Sequence, residues 1–273
     1  MLTNNVFAGA AQLLPGGFLK IFLLVMVLAV IVGTLFDIVH KGSARYFFEN
    51  MRRAKARRDA RQLDSGEVAS IAMKTAMVDV LASGEFCNPR RRLAHLLTMY
   101  GFILYLVTTV IMVFCEPRTV AGQVPALWWL GGAMVLLGGY WFWFFIRVDV
   151  AAEGNSALRI VYADLFVLSL LASVTLGLLW AWTGGGIGWL FWLYLIATAV
   201  LFLGVPWSKF AHMFFKPAAA FDKRISRANG TAENLPLQSR DDPEQQKRHS
   251  MELLQNAPMD MGLGIKREAP RHY

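Results

Sequence analysis

Five stretches of this chain, residues 18–39, 93–115, 126–146, 160–182 and 189–215, are each apolar over about 20 residues, the length an α-helix needs to cross a bilayer. In lipid every backbone N–H and C=O has to be satisfied within the protein, so an isolated apolar stretch of that length has the helix as its stable form. With 273 residues, 56% of them hydrophobic, the chain reads as an all-α integral membrane protein, a five-helix transmembrane bundle.

The cations orient the bundle. The connection 41–92 carries 12 Lys and Arg residues, the segment 209–273 carries 11 and the link 147–159 carries 2, which leaves only Lys20 and Arg118 for the opposite side. By the positive-inside rule the face with 25 of the 27 cations is cytoplasmic. The N-terminus is then outside, the C-terminus is cytoplasmic, and the expected location is the inner membrane of a bacterium. The net charge of +8 is therefore a topology signal, aided by attraction to anionic headgroups, and does not call for nucleic acid. The first apolar run passes straight into His40 and Lys41 with no small-residue cleavage pattern, so it is expected to be a retained helix. Its boundaries give a membrane domain over 1–217 with a cytoplasmic loop at 41–92, followed by a polar, largely disordered extension over 218–273.

Two cysteines bound the redox chemistry. Cys87 falls in the cytoplasmic loop and Cys115 at the outer end of the second span, too far apart for a disulfide across a helix of about 30 Å. An iron–sulfur cluster needs four ligands, so any cluster belongs to another protein. Within the loop, Ala69, Met73, Ala76, Met77, Val80 and Leu81 share one helical face, with Glu67, Lys74 and Asp79 off it. Such a helix lies either on the membrane surface or against a partner. The nine tryptophans cluster near span ends, as an aromatic belt does. No internal repeat is visible and the spans carry few charges, which argues against a transporter.

Three of the five histidines, His40, His95 and His212, fall near the cytoplasmic ends of spans; His249 and His272 sit in the polar extension. Imidazoles from two helices at one depth are a known axial pair for a b-type haem. Arg91 and Arg92 lie a turn before His95, and Lys209 and Lys216 flank His212, so cations stand where haem propionates would need them. Small residues at Ala94, Gly101 and Ala211 would let a flat macrocycle approach. The alternative is that these histidines reach to the headgroups. Asp164, early in the fourth span, is either a proton-exchanging group for a quinone or an acid favoured by the helix N-terminus, and Lys209 is a second candidate quinone contact.

The segments NPRRRLAHLLTMYGFILYLVTTV and VPWSKFAHMFFKP resemble the cytochrome b membrane subunit, the gamma subunit, of respiratory nitrate reductases. They look closer still to the membrane domains of heterodisulfide-reductase-like complexes, of the quinone-interacting membrane-bound oxidoreductase, and to the membrane anchor of adenylylsulfate reductase. The resemblance spans about 18–217 and implies five helices, haem b ligation by the second and fifth, and electron exchange between the quinone pool and a cytoplasmic iron–sulfur or flavin oxidoreductase. His95 and His212 take the places of the cytoplasmic-side ligand pair. The nitrate reductase branch has a second, outer pair, and those positions here are Tyr105 and Tyr194. One haem is therefore expected, with the tyrosines as packing or hydrogen-bonding residues. The resemblance implies an oxidoreductase subunit and not a complete enzyme, with the adenylylsulfate reductase anchor as the nearest branch. The rival expectation is the same fold as a haem-free structural anchor.

Overall fold

A computed structural model of the protein describes residues 2–41, 48–49, 52, 61–84, 89–116, 120, 122–147, 158, 160, 164–207 and 216–232. Every element among them is helical, and five helices are long and apolar enough to cross a membrane. This is a multi-pass membrane protein. Its chain divides into two compact units, one made of Met1–Ser43, Phe86–Arg147 and Leu158–Phe214, the other of Ala44–Glu85, Val148–Ala157 and Phe215–Tyr273.

The first unit holds the spans. A short helix, α1 (Val6–Leu13), precedes them. The spanning helices are α2 (Phe18–Lys41), α4 (Pro89–Phe114), α5 (Gln123–Trp141, continued by a wider π turn over Phe142–Ile146), α6 (Leu165–Trp182) and α7 (Trp189–Gly204). The most extensive seam joins α4 to α5, the next joins α6 to α7, α5 links the two pairs, and α2 lies along α7. Helix α2 is the least buried of the five, and its outward row of Ile21, Leu24, Leu28, Ile31, Leu35 and Val39 is a lipid-facing surface.

The α-helix of the fourth span is described from Leu165, and Asp164 before it keeps a helical backbone while its carboxylate pairs with Arg147; residues 161–163 lie outside the described residues. The fifth α-helix ends at Gly204, and Val205–Trp207 form a 3₁₀ turn. Pro206 has no N–H to continue the ladder, which tightens the chain at this point. Residues 208–215, with Lys209, Ala211 and His212, lie outside the described residues.

The α4–α5 seam is built on glycine. Two doublets, Gly131–Gly132 and Gly138–Gly139, lie seven residues apart on α5, so each doublet presents the same two faces. A Cβ on Gly131 would stand 2.7 Å from the Tyr105 amide nitrogen, and one on Gly138 would stand 2.6 Å from the Ala94 carbonyl oxygen. The second glycine of each doublet meets a leucine of α6 instead: Leu178 beside Gly132 and Leu171 beside Gly139. Small residues that let backbones approach are the usual basis of helix association in lipid, where burial of apolar surface gives no driving force between helices.

The second unit contains α3 (Ser65–Lys74), which runs on as a π-helical segment (Thr75–Leu81), and α8 (Lys216–Ala228). Asp64 starts α3 with a capping box: its carboxylate accepts from the Gly66 N–H at 3.1 Å, while Glu67 accepts from the Asp64 N–H at 3.1 Å. Helix α8 begins where the sequence suggests only a polar extension. Pro217 suits its first turn, and Ala220, Ile225 and Ser226 form its buried face. The residues beyond 232, including His249 and His272, lie outside the described residues.

Candidate functional site

The two ends of the spanning bundle differ in chemistry. At the end carrying the start of α4, polar and ionisable groups enter the bundle. His95 sits half-buried on the second turn of α4, and Arg91 and Arg92 are half-buried one turn before it. Asp37, near the C-terminus of α2, is only 6% exposed. One turn earlier on the same face, Gly33 packs on the Pro206 ring, where a Cβ would come within 2.5 Å of Cγ. Asp37 therefore faces the 3₁₀ turn that leads into 208–215. Sequence reasoning passed over this carboxylate, although a lone acid inside an apolar run is the signal that would have found it. His40 lies exposed one turn beyond the Phe36 ring and stacks on it, the centroids 5.5 Å apart.

Arg147 and Asp164 close the same end between α5 and α6. The Arg147 Nε and Nη2 donate to the two carboxylate oxygens of Asp164 at 2.9 and 2.6 Å, and both side chains are about nine-tenths buried. The guanidinium carbon also lies 4.1 Å from the centroid of Trp143. A bidentate, desolvated pair of this kind ties the two helix ends across the link 148–163. Proton exchange with a quinone would have to break that pair, so the geometry gives Asp164 a structural task that neither sequence reading of it included. Lys216, the first residue of α8, belongs to the second unit.

At the opposite end the bundle is aromatic. Phe7 of α1, Tyr105 of α4, Trp128 of α5, Trp180 of α6, and Phe191 and Tyr194 of α7 are all buried. Tyr105 stacks on Trp128 at 4.8 Å, Trp180 stacks on Tyr194 at 5.7 Å, and Phe7 lies 5.3 Å from Trp180. The indole N–H of Trp128 donates to Thr109 Oγ1 at 2.8 Å, and that of Trp180 donates to the Gly186 carbonyl at 2.8 Å. Asn5 caps α1 and donates from Nδ2 to the Met112 carbonyl at 2.9 Å, which holds Phe7 over the cluster.

This arrangement corrects the belt reading for part of the set. Trp182, Trp189, Trp192 and Trp207 are exposed at helix ends as belt residues are, whereas Trp128 and Trp180 are fully enclosed and Trp143 is buried under Arg147. Tyr105 donates its hydroxyl hydrogen to Tyr194 at 3.5 Å, and the Tyr105 hydroxyl fills the space against Gly177. Because α4 and α7 share no extended backbone seam, these side chains bridge the gap between them.

The fit of a haem differs between the two ends. At the aromatic end Tyr105, Tyr194 and the two indoles occupy the volume between α4 and α7, and a macrocycle does not fit. At the other end the described residues supply one half-buried imidazole, His95, and two neighbouring guanidinium groups; His212 lies outside the described residues. Ala94 and Gly101 do not face such a macrocycle, because both are spent on close contact with Gly138 and Gly131 of α5. Among the described residues no three His, Cys, Asp or Glu side chains gather as a metal site would require. Set against protein-family models, curated proteins and solved structures, the chain matches none.

Proposed function

We propose that this chain is the membrane subunit of a redox complex, carrying electrons between the membrane quinone pool and a cytoplasmic iron–sulfur or flavin oxidoreductase, with one b-type haem held by His95 and His212. The observation that carries the reading is the contrast between the two bundle ends: a half-buried imidazole with two guanidinium groups at one, closed aromatic packing at the other. The resemblance of the two histidine-bearing segments to cytochrome b subunits points the same way, and adenylylsulfate reductase is the partner favoured by the lack of a second histidine pair.

A haem b supplies a one-electron carrier when bound. The chain's own contribution is to position and to insulate. His95 and His212 would hold the iron, and Arg91, Arg92, Lys209 and Lys216 would offset the propionate charge, while Tyr105 and Tyr194 pack the aromatic end. The cation distribution supports a cytoplasmic docking face for an acidic or neutral partner, with the C-terminus on that side.

A second reading, a haem-free anchor for the same kind of enzyme, is favoured by one observation: the small residues beside His95 serve helix packing. Absorption spectra of the detergent-purified protein, oxidised and dithionite-reduced, with haem quantified per chain, separate the two. One b-type haem per polypeptide, lost in His95→Ala and in His212→Ala, is the expected result. A haem-free protein from haem-replete cells refutes the electron-carrier reading, and two haems refute the reading of the tyrosine layer.

A further inference from the structure

Helix α3 has two faces, and only one of them has a partner among the described residues. Thr75 and Asp79 turn toward α8, where Arg224 donates from Nε and Nη2 to the Asp79 carboxylate at 2.6 and 2.8 Å. Arg61 is ion-paired with Glu67, and its backbone N–H donates to the Asn229 carbonyl at 3.0 Å, which ties the approach to α3 to the end of α8. The opposite face is apolar and open. Ala69, Ala72, Met73, Ala76, Met77 and Val80 recur at spacings of three and four, and all are exposed, Met73 by 66% and Met77 by 55%. A row of this kind directed at water would be unusual for a helix that has a packing partner on its other side.

We propose that this face lies in the headgroup layer of the bilayer that the spans cross, with anionic lipid as its partner. Chain length supports the assignment. The described part of the α3 segment ends at Gly84, and the spanning helix α4 starts at Pro89, so the intervening chain, even fully extended, reaches at most about 18 Å. A tether of that length allows the apolar row to reach the membrane surface. Charge supports it as well. The acids of α3 are engaged within the unit, Glu67 by Arg61 and Asp79 by Arg224, while Lys74, Lys223 and Arg227 are exposed. An amphipathic helix with methionines on one face and lysine and arginine around it suits an anionic interface. The Asp79–Arg224 pair gives the inference a structural consequence: by holding α8 against the polar face of α3, it leaves the apolar face for lipid.

The test uses the full chain in vesicles, with Cys87→Ser and Cys115→Ser as background and a nitroxide attached in turn at Met73→Cys, Met77→Cys and, off the apolar row, Val78→Cys. Collision with oxygen and with a water-soluble nickel chelate reports depth. In vesicles rich in phosphatidylglycerol, labels at 73 and 77 are expected about 5–10 Å inside the headgroup–acyl boundary, with the label at 78 open to nickel. In pure phosphatidylcholine the first two become shallower. Labels at 73 and 77 that meet nickel as freely as the one at 78 overturn the proposal, since the face is then solvated. Labels shielded from both quenchers overturn it in favour of a protein contact, and equal depth in both lipids removes the anionic preference. None of these readouts involves haem, so the inference stands or falls apart from the electron-carrier reading.

Discussion

Adding a single methyl group at each glycine of the α5 doublets tests the packing argument at four adjacent sites. In Gly138→Ala the new Cβ would stand 2.6 Å from the Ala94 carbonyl oxygen, 2.7 Å from Thr98 Oγ1 and 2.9 Å from Leu97 Cβ. Ordinary contact begins at 3.4 Å, so the α4–α5 seam has to open by about 0.8 Å along a rigid backbone. A gap of that size forfeits a quarter to a half of the dispersion energy of each facing atom pair, and overpacking of this kind costs roughly 1–3 kcal/mol. Gly131→Ala meets the Tyr105 amide at 2.7 Å and belongs to the same class. Gly139→Ala and Gly132→Ala instead meet the tips of Leu171 and Leu178, which can turn aside at smaller cost. Gly204→Ala, with nothing within 4 Å, gains helix propensity without a clash and serves as the reference. Reversible unfolding in mixed micelles with increasing SDS should place Gly138→Ala about 2 kcal/mol below Gly204→Ala, roughly a 30-fold difference in the unfolding constant. Equal stability of those two variants, or a Gly139→Ala as costly as Gly138→Ala, would refute the claim that backbone contact sets this seam.

Two further outcomes follow from named contacts. Trp180→Ala empties a fully buried site between Phe7, Phe191 and Tyr194 and should cost about 3–5 kcal/mol in the same assay, whereas Trp189→Ala, at an exposed position, should stay within about 0.5 kcal/mol. The Arg224 guanidinium hydrogen-bonded to Asp79 holds its carboxyl below the usual carboxylate range, against an opposing effect of burial. A depressed folded value means that the pair's contribution is fully present above the unfolded carboxylate pKa of about 4 and is lost as pH falls through the lower folded value. Protection of the α3 and α8 amides, taken relative to the intrinsic exchange rate at each pH, should therefore fall only in that acid range for the native chain, and already at neutral pH for Asp79→Asn; unchanged protection in the variant would remove the ion pair from the account.

Much of the architecture is legible in the residues because a bilayer demands about 20 apolar positions for each crossing. All five spans can be read from that demand; what the residues do not reveal is local, the pairing of Asp164 with Arg147 and the tightening to a 3₁₀ turn at Pro206. The apolar row of α3 is legible for the same periodic reason, and the structure leaves that row exposed. Helix α1 is not legible, since eight residues of mixed Ala, Gly and Phe become a helix only when Asn5 caps them and Phe7 finds the aromatic cluster. Helix α8 is missed because its charged residues mask a short buried row that needs α3 to receive it.

Within the spans, hydropathy is silent about direction. Trp128 and Trp189 are both tryptophans near helix ends, yet one is enclosed and the other is 71% exposed. His95 can be singled out from its neighbours in the chain, while the loss of Ala94 and Gly101 to the α5 seam cannot. The amino-acid order alone determines that this chain crosses the membrane five times, where its cations gather, and which ionisable groups are costly enough to need a reason. Tertiary structure alone decides which face of each helix looks inward. In lipid an apolar side chain is equally soluble on either side of a helix, so the choice falls to backbone approach at the glycine doublets, to the hydrogen bonds of buried indoles and hydroxyls, and to the pairing of Arg147 with Asp164.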